Sequence, residues 1–440
     1  MTKVEQLERD VQALTSEELA AFRNWFAERA QAKDWAAKEQ VSGYSVYEGN
    51  YGPSPNYQSG TVPYKKPADG GAFVFANGKP QLQNTFDLRF ALVVPEAQAC
   101  PMPAAGYPIV LYAHGTGGDY RSFIGDGTAA ALAGQCLASM GIDQIFHGTR
   151  PGAPPENDPN HDTDIELLFF NFDNVAAART NNRQSGVDVV QQARLFTDTK
   201  IQVPAAIAKG GAAVTFDPTR VTFFGHSQGG LNGPLFLAGT DLARGGVLSG
   251  AGSDLRIALL EKTKPVDIPA AVKLLVGLSN ADEATELTIF HPVLALVQSL
   301  VDATDTIHYG RTITREPRTG HIAKSIYQTE GINADGSGDN YAPPHGIEAL
   351  SVAMGLPRQA PGIRTVQEEQ WSGITDLTVP SDGVSGNLAN GSASGVLAQW
   401  PPKAGSDGHF VVFDIPAARK QAAVFCKNLS DDPKGKIPAP

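Results

Sequence analysis

Arg220-Val-Thr-Phe-Phe-Gly-His-Ser-Gln-Gly-Gly-Leu231 sets Ser227 in a G-x-S-x-G frame directly behind a β-branched and aromatic run. The run Val221 to Phe224 predicts a short buried strand, and Gly225, Gly229 and Gly230 permit a sharp reversal into a closely packed helix. A serine on such a turn stands strained and exposed, with His226 before it and Gln228 after it. The chain holds 46 glycines, so the bare pattern is weak and its place between strand and helix carries the reading. The bland alternative is a glycine-rich turn with an incidental serine.

Upstream, Tyr107-Pro-Ile-Val-Leu-Tyr-Ala113 reads as a second buried strand running into His114-Gly-Thr-Gly-Gly118. A loop of small residues can aim backbone N–H groups at a developing oxyanion, an effect of roughly 3 to 4 kcal/mol per donor. The expected donors are the N–H of Gln228, next to the serine, and that of Thr116, with Gly117 as the alternative. A phosphate-cradling loop is the competing reading, but no lysine follows the glycines as a P-loop requires.

A serine nucleophile needs a histidine base, which in a strand–turn–helix arrangement of this kind follows the acid late in the chain. Of nine histidines, His114 and His226 belong to the two motifs, His147 and His161 precede Ser227, and His291, His308 and His321 precede the strand expected to carry the acid. His345 and His409 remain. His409 lies between Gly405-Ser-Asp-Gly408 and Phe410-Val-Val-Phe413, a loop able to deliver an imidazole, whereas His345 opens a helix after two prolines. For the acid, a strand over Ala323 to Gly331 leads into a loop with Asp335 and Asp339. Asp339 is favoured because it adjoins the prolines that stiffen the exit before the helix Gly346 to Gly355. Asp407 suits a turn cap better.

With these segments in view, the chain resembles the α/β-hydrolase superfamily, and within it bacterial serine lipases and esterases. The resemblance covers most of residues 80 to 430 and rests on Ala113-His-Gly-Thr-Gly-Gly118, Gly225-His-Ser-Gln-Gly-Gly230, Asp339-Asn-Tyr-Ala-Pro-Pro344 and Asp407-Gly-His-Phe-Val-Val-Phe413. It implies Ser227, Asp339 and His409 as a catalytic triad and a doubly wound, mostly parallel α/β sheet. Thr116 departs from an all-glycine HGGG loop. Esters of uncharged or lipid-like character are the implied substrates. Polyester, amide or lactone hydrolysis, acyl transfer, and a catalytically silent binding protein of the same fold are the alternatives.

Composition fits one large domain: 42% hydrophobic residues supply a sizeable core, and 18% charged residues leave little room for long disordered stretches. The net charge of −11, with no basic stripe, argues against nucleic acid and anionic membrane surfaces. No 18-residue apolar run suggests an integral membrane segment, and no cofactor or metal is expected; Asn157 to Asp164 lacks the spacing of a calcium loop. The polar start Met1 to Asp10 predicts no signal peptide, although the resemblance points to secreted proteins, so the compartment stays open. One disulfide, Cys100 with Cys136, is conceivable under oxidising conditions.

Residues 1–40 predict a helical extension, with Val4, Leu7, Val11 and Leu14 at helical spacing and a Thr15-Ser-Glu-Glu18 capping box, able to pair protomers into a homo-oligomer. Residues 41–72, rich in Gly, Pro, Ser and Tyr, predict a linker ordered at most by its aromatics. The hydrolase-like domain is expected over 73–430 and a tail over 431–440. Within the domain, Thr85 to Val94 reads as an antiparallel edge strand, Ala129 to Met140 and Gly186 to Phe196 as helices, and Ile142 to Phe146 and Gly245 to Ser249 as strands. The leucine- and valine-rich stretch of about 254–318 predicts a helical cap that excludes water and sets substrate choice. An ordinary core insertion is its alternative.

Overall fold

The structure, a computed structural model, describes residues 30–278 and 287–440. Tyr107–Ala113 shows how the sequence builds the sheet. All seven residues are buried, with Ile109, Leu111 and Ala113 facing one core and Val110 and Tyr112 the other. A strand covered on both faces must be apolar throughout, which is why the run is continuous instead of alternating.

Nine strands form the large sheet: β1 (Gln31–Val41), β2 (Tyr44–Asn56), β3 (Asn84–Pro95), β4 (Tyr107–Ala113), β5 (Ala138–Ile142), β6 (Phe216–His226), β7 (Gly245–Ser249), β8 (Ser325–Gly331) and β9 (Gly395–Trp400). Their spatial order is β1-β2-β3-β5-β4-β6-β7-β8-β9. The pairs from β5 to β9 are parallel, and β1, β2 and β3 join antiparallel. The principal helices are α1 (Thr128–Ala133), α2 (His161–Phe170), α3 (Val175–Thr197), α4 (Gln228–Gly239), α5 (Leu255–Glu261), α6 (Ile268–Leu275), α7 (Pro292–Val301), α8 (Ile307–Thr314), α9 (Pro344–Met354) and α10 (Pro416–Asp431). One face of the sheet is covered by α3, α4, α8 and α9, and the other by α1 and α10.

This order has a consequence for chemistry. The chain leaves β4 toward β5 on one side and returns to β6 on the other, so the loops after β4 and β6 diverge from neighbouring carboxyl ends. Such a switch point opens a crevice at the sheet edge. The expectation of a doubly wound, mostly parallel sheet is met, and the arrangement is the α/β-hydrolase fold.

Several expectations are corrected. Residues 31–40, placed in a helical extension, form the outermost strand together with Val41 of the supposed linker; residues 1–29 lie outside the described residues, as does the capping box. The Ala, Lys, Glu and Gln of this segment favour helix, but propensity yields to tertiary pairing with β2 and to Trp35 packing edge-on against Phe90 at 5.0 Å. The supposed linker contributes β2, whose Tyr44, Tyr47 and Tyr51 are buried. Pro53 is accommodated where the register with β3 shifts between Tyr51 and Ser54, and Pro55 pairs with Thr85 beyond it. With two strands outside it, β3 is antiparallel but not an edge.

The helix expected over Ala129 to Met140 stops after Ala133, and β5 occupies 138–142 instead of 142–146. Cys136, with φ 58°, turns the chain between them and is joined to Cys100 by a disulfide. Helix α3 begins eleven residues before the expected Gly186. The stretch between β7 and β8 is helical as expected, carrying α5 to α8. It has a small core of its own around Leu259, Ile268, Leu287 and Leu294. Among the described residues no helix is long and apolar enough to cross a membrane.

Candidate active site

Strand β6 ends at His226, and Ser227 turns the chain into α4 with φ 55° and ψ −121°. A non-glycine residue held at positive φ is strained, and strain of this kind persists only where surrounding structure fixes it. Three contacts do so: Ser227 N–H donates to Ser249 O of β7 (2.8 Å), Gly229 N–H to His114 O (3.0 Å), and Leu231 N–H to Ser227 O (3.1 Å). A Cβ at Gly229 would stand 2.0 Å from Ala113 O, so only glycine lets α4 lie this close to β4. Gly225, the penultimate residue of β6, sits directly behind this contact.

The loop after β4 is held by two buried histidines. His114 Nδ1–H donates to Gly115 O (2.8 Å), leaving Nε2 to accept from Gln144 N–H (3.2 Å). His147, which sequence reasoning set aside, donates from Nδ1 to Ile145 O (2.8 Å) and accepts at Nε2 from Gly117 N–H (3.1 Å). Burial pushes both imidazoles below their ordinary pKa and keeps them neutral, as an acceptor nitrogen requires. Gly117 N–H is therefore engaged. Thr116 N–H has no hydrogen bond among the described residues, and Gln228 N–H sits at the first position of α4, where a helix has no acceptor for it. The two residues meet through Thr116 Oγ1 and Gln228 Oε1 (3.2 Å).

Asp339 and His409 come together from loops after β8 and β9. His409 Nδ1–H donates to Asp339 Oδ2 (2.7 Å), and both side chains are buried. Asp339 Oδ1 accepts from Tyr341 N–H (2.8 Å) and Ala342 N–H (2.7 Å), which fixes the carboxylate before the prolines. The Tyr341 ring stacks on the imidazole at 4.8 Å. Asp407 ties the two loops together, accepting from His409 N–H (3.1 Å), Asn340 N–H (3.0 Å) and Lys264 Nζ (3.0 Å). Because Nδ1 carries the proton, Nε2 presents a lone pair.

The His409 ring lies against His226 (4.6 Å between centroids) and fills the space beside Gly250, where a Cβ would come within 2.7 Å of Cε1. Gly250 and Ser227 line one pocket. Burial, and next the neighbouring His409, hold His226 well below its ordinary pKa, so it adds no charge there. The Ser227 hydroxyl makes no hydrogen bond to His409 among the described residues. Catalytic hydrogen bonds are often long or misaligned until substrate arrives.

The rejected candidates have other partners. Asp335 is exposed and caps a turn through Ser337, and His345 forms an exposed pair with Glu261. The Asn157 to Asp164 stretch enters helix α2 at His161, and among the described residues no three His, Cys, Asp or Glu side chains are placed to hold a metal.

The pocket beside Ser227 encloses about 920 Å³ including its open mouth, and its wall is mostly apolar. Phe169, Phe170 and Leu231 line it from the body, Leu255, Ala258 and Val301 from the helical insertion. Sequence reasoning missed its buried ion pair, Glu166 of α2 with Lys262 at 3.0 Å. A glutamate and a lysine far apart in sequence carry no local signal of meeting.

No protein-family model matches the chain, and no curated protein matches it in sequence. Among solved structures it is similar to an acetyl xylan esterase from Paenibacillus sp. R4 (14% identity, 77% of this chain and 83% of that one, TM-score 0.44). It is also similar to a cold-adapted esterase from an Arctic intertidal metagenomic library (11%, 91% and 99%, 0.41) and to a glucuronoyl esterase from Teredinibacter turnerae T7901 (13%, 87% and 80%, 0.38). These likenesses are too distant to speak to activity, which rests on the site itself.

Proposed function

We propose that the protein is a serine carboxylic-ester hydrolase. Ser227 Oγ attacks the acyl carbon while His409 Nε2 takes its proton, and Asp339 holds the imidazole tautomer and stabilises the imidazolium. The N–H groups of Thr116 and Gln228 receive the oxyanion. His409 then protonates the departing alcohol, and water, deprotonated by the same imidazole, releases the acyl group from Ser227. The observation that carries this reading is the 2.7 Å Asp339–His409 pair beside a strained serine at one sheet edge. A silent binding protein would have no use for so costly a geometry.

The apolar wall supports uncharged acyl groups of moderate length, with the helical insertion as the cap that selects them. The disulfide supports an oxidising compartment. Pairing of protomers through the N-terminal segment now rests on residues 1–29, since 31–41 belong to the sheet. The test is hydrolysis of p-nitrophenyl butanoate followed by rapid acid quench and intact mass measurement. A protein carrying one butanoyl group is expected; turnover with no acyl-protein in the wild type or in slow-deacylating conditions would refute the covalent route.

A further inference from the structure

The buried pair of Glu166 and Lys262 stands between the two halves of the site and touches both. Glu166 lies on α2, and Lys262 directly follows α5, the first helix of the insertion between β7 and β8. Their side chains are 4% and 11% exposed, and Lys262 Nζ stands 3.0 Å from Glu166 Oε1. Toward the oxyanion loop, Thr116 Oγ1 donates to Glu166 Oε2 (3.4 Å). With the Gln228 amide turned so that its nitrogen faces Thr116 across 3.2 Å, the one hydroxyl accepts from Gln228 and donates to Glu166. Toward the base, Lys262 Nζ donates to Tyr341 O (2.8 Å). Tyr341 in turn gives its N–H to Asp339 Oδ1 (2.8 Å) and lays its ring on His409. Lys262 is itself anchored: the next two residues, Thr263 and Lys264, both donate their N–H groups to Asn340 O (3.1 Å), and Lys264 Nζ reaches Asp407.

A chain of polar contacts therefore runs from Gln228 through Thr116, Glu166, Lys262 and Tyr341 to Asp339. We propose that Glu166 and Lys262 are positioning residues that hold the oxyanion loop in register with the acid and the base; the inference rests on the ester-hydrolase reading above. Stability alone gives no reason for an ion pair here, because a buried pair adds little over apolar side chains of the same volume. What the ions supply is direction. An ammonium has three donors and a carboxylate two acceptor oxygens, so each ion fixes its partner and one further group at a set distance. The reaction needs both halves at once: the oxyanion must meet the N–H groups of Thr116 and Gln228 while the proton passes from Ser227 to His409. Misplacement of either half by about 1 Å can cost about 10²-fold in rate.

The experiment measures kcat, KM and Tm on p-nitrophenyl acetate and p-nitrophenyl butanoate for the wild type, Lys262→Met, and the double variant Glu166→Leu with Lys262→Met. Lys262→Met strands a buried carboxylate and should lower both Tm and kcat. The double variant removes both charges, so its Tm should return toward the wild-type value while kcat stays down by roughly 10- to 100-fold on both esters alike. Thr116→Val keeps the N–H and removes only the hydroxyl link; it should lower kcat about fivefold, the worth of one hydrogen bond, whether or not the double variant folds. Recovery of kcat together with Tm in the double variant, or a Thr116→Val kcat equal to that of the wild type, would leave the pair a bridge of the fold alone and overturn the proposal. A loss carried by KM, or one confined to the longer ester, would assign the pair to substrate binding and overturn it equally. Absence of wild-type turnover on both esters would instead remove the hydrolase reading and this inference with it.

Discussion

The two sides of the cleft are built on opposite principles. On the sheet edge, the polar atoms that shape the site are held: the Asp339 carboxylate by two backbone N–H groups and an imidazole, the Gly117 N–H by His147, and the Asp407 carboxylate by both loops. On the pocket wall, Phe169, Phe170, Leu231, Leu255, Ala258 and Val301 present mostly apolar surface. The first side is preorganised for one chemical step, and groups fixed in advance need not reorganise as charge develops. The second is apolar surface, whose attraction for a chain follows the area covered and has no direction. Rate should therefore be sensitive to the sheet edge and selectivity to the wall.

The contrast breaks first at the nucleophile. Ser227→Ala should lower p-nitrophenyl butanoate turnover by at least about 10⁴-fold while leaving the thermal midpoint the same or slightly higher, since it removes no hydrogen bond of the fold. Asp339→Asn should cost roughly 10³- to 10⁴-fold in kcat, because an amide no longer enforces the tautomer. Asp335→Asn should stay within about twofold, as its loop position is exposed. If the second substitution exceeds the first, the acid has been misassigned. His147→Ala frees Gly117 N–H and loosens the loop without touching substrate. A loss of about tenfold in kcat with little change in KM is expected, well below the 10²- to 10³-fold of a deleted oxyanion donor.

The smallest effect concerns stability. Glu330, Glu348 and Glu369 are buried together behind β8 and α9, and burial raises the carboxyls of Glu348 and Glu369 to about 7 and that of Glu330 well above its ordinary value. A carboxyl whose folded pKa lies above its unfolded value contributes stability that is full below the unfolded pKa and is lost as pH climbs through the folded one. These acids therefore favour the folded state near pH 4.5 and weaken it toward pH 7 and above. Glu348→Gln removes the titration. Its thermal midpoint relative to wild type should rise between pH 5 and pH 8 by roughly 1 to 3 °C; a constant difference would show that Glu348 is ionised throughout.

The same contrast decides what the sequence made legible. The elbow, the glycine loop and the strands β4, β6, β7 and β8 announce themselves locally, because strand burial on both faces and a tight turn each leave a contiguous signature. His409 was reachable because few histidines stand late enough in the chain. Strands β1 and β2 were not legible: an Ala/Lys/Glu/Gln composition and a run of prolines and glycines describe local preference, while pairing with β3 and three buried tyrosines decide the outcome. Strand β9, which leads to the His409 loop, also went unread. His147, Lys262 with Glu166, and the stacking of Tyr341 on His409 are contacts between distant segments, and no spacing rule announces them.

The central claim is one activated serine, and a fluorophosphonate probe with peptide mapping by mass spectrometry tests it most directly. The account predicts a single adduct, located on Ser227, formed by the wild type and absent from Ser227→Ala and from heat-unfolded protein. An adduct on a different serine, or ester turnover that persists with Ser227 unlabelled at saturating probe, would contradict it.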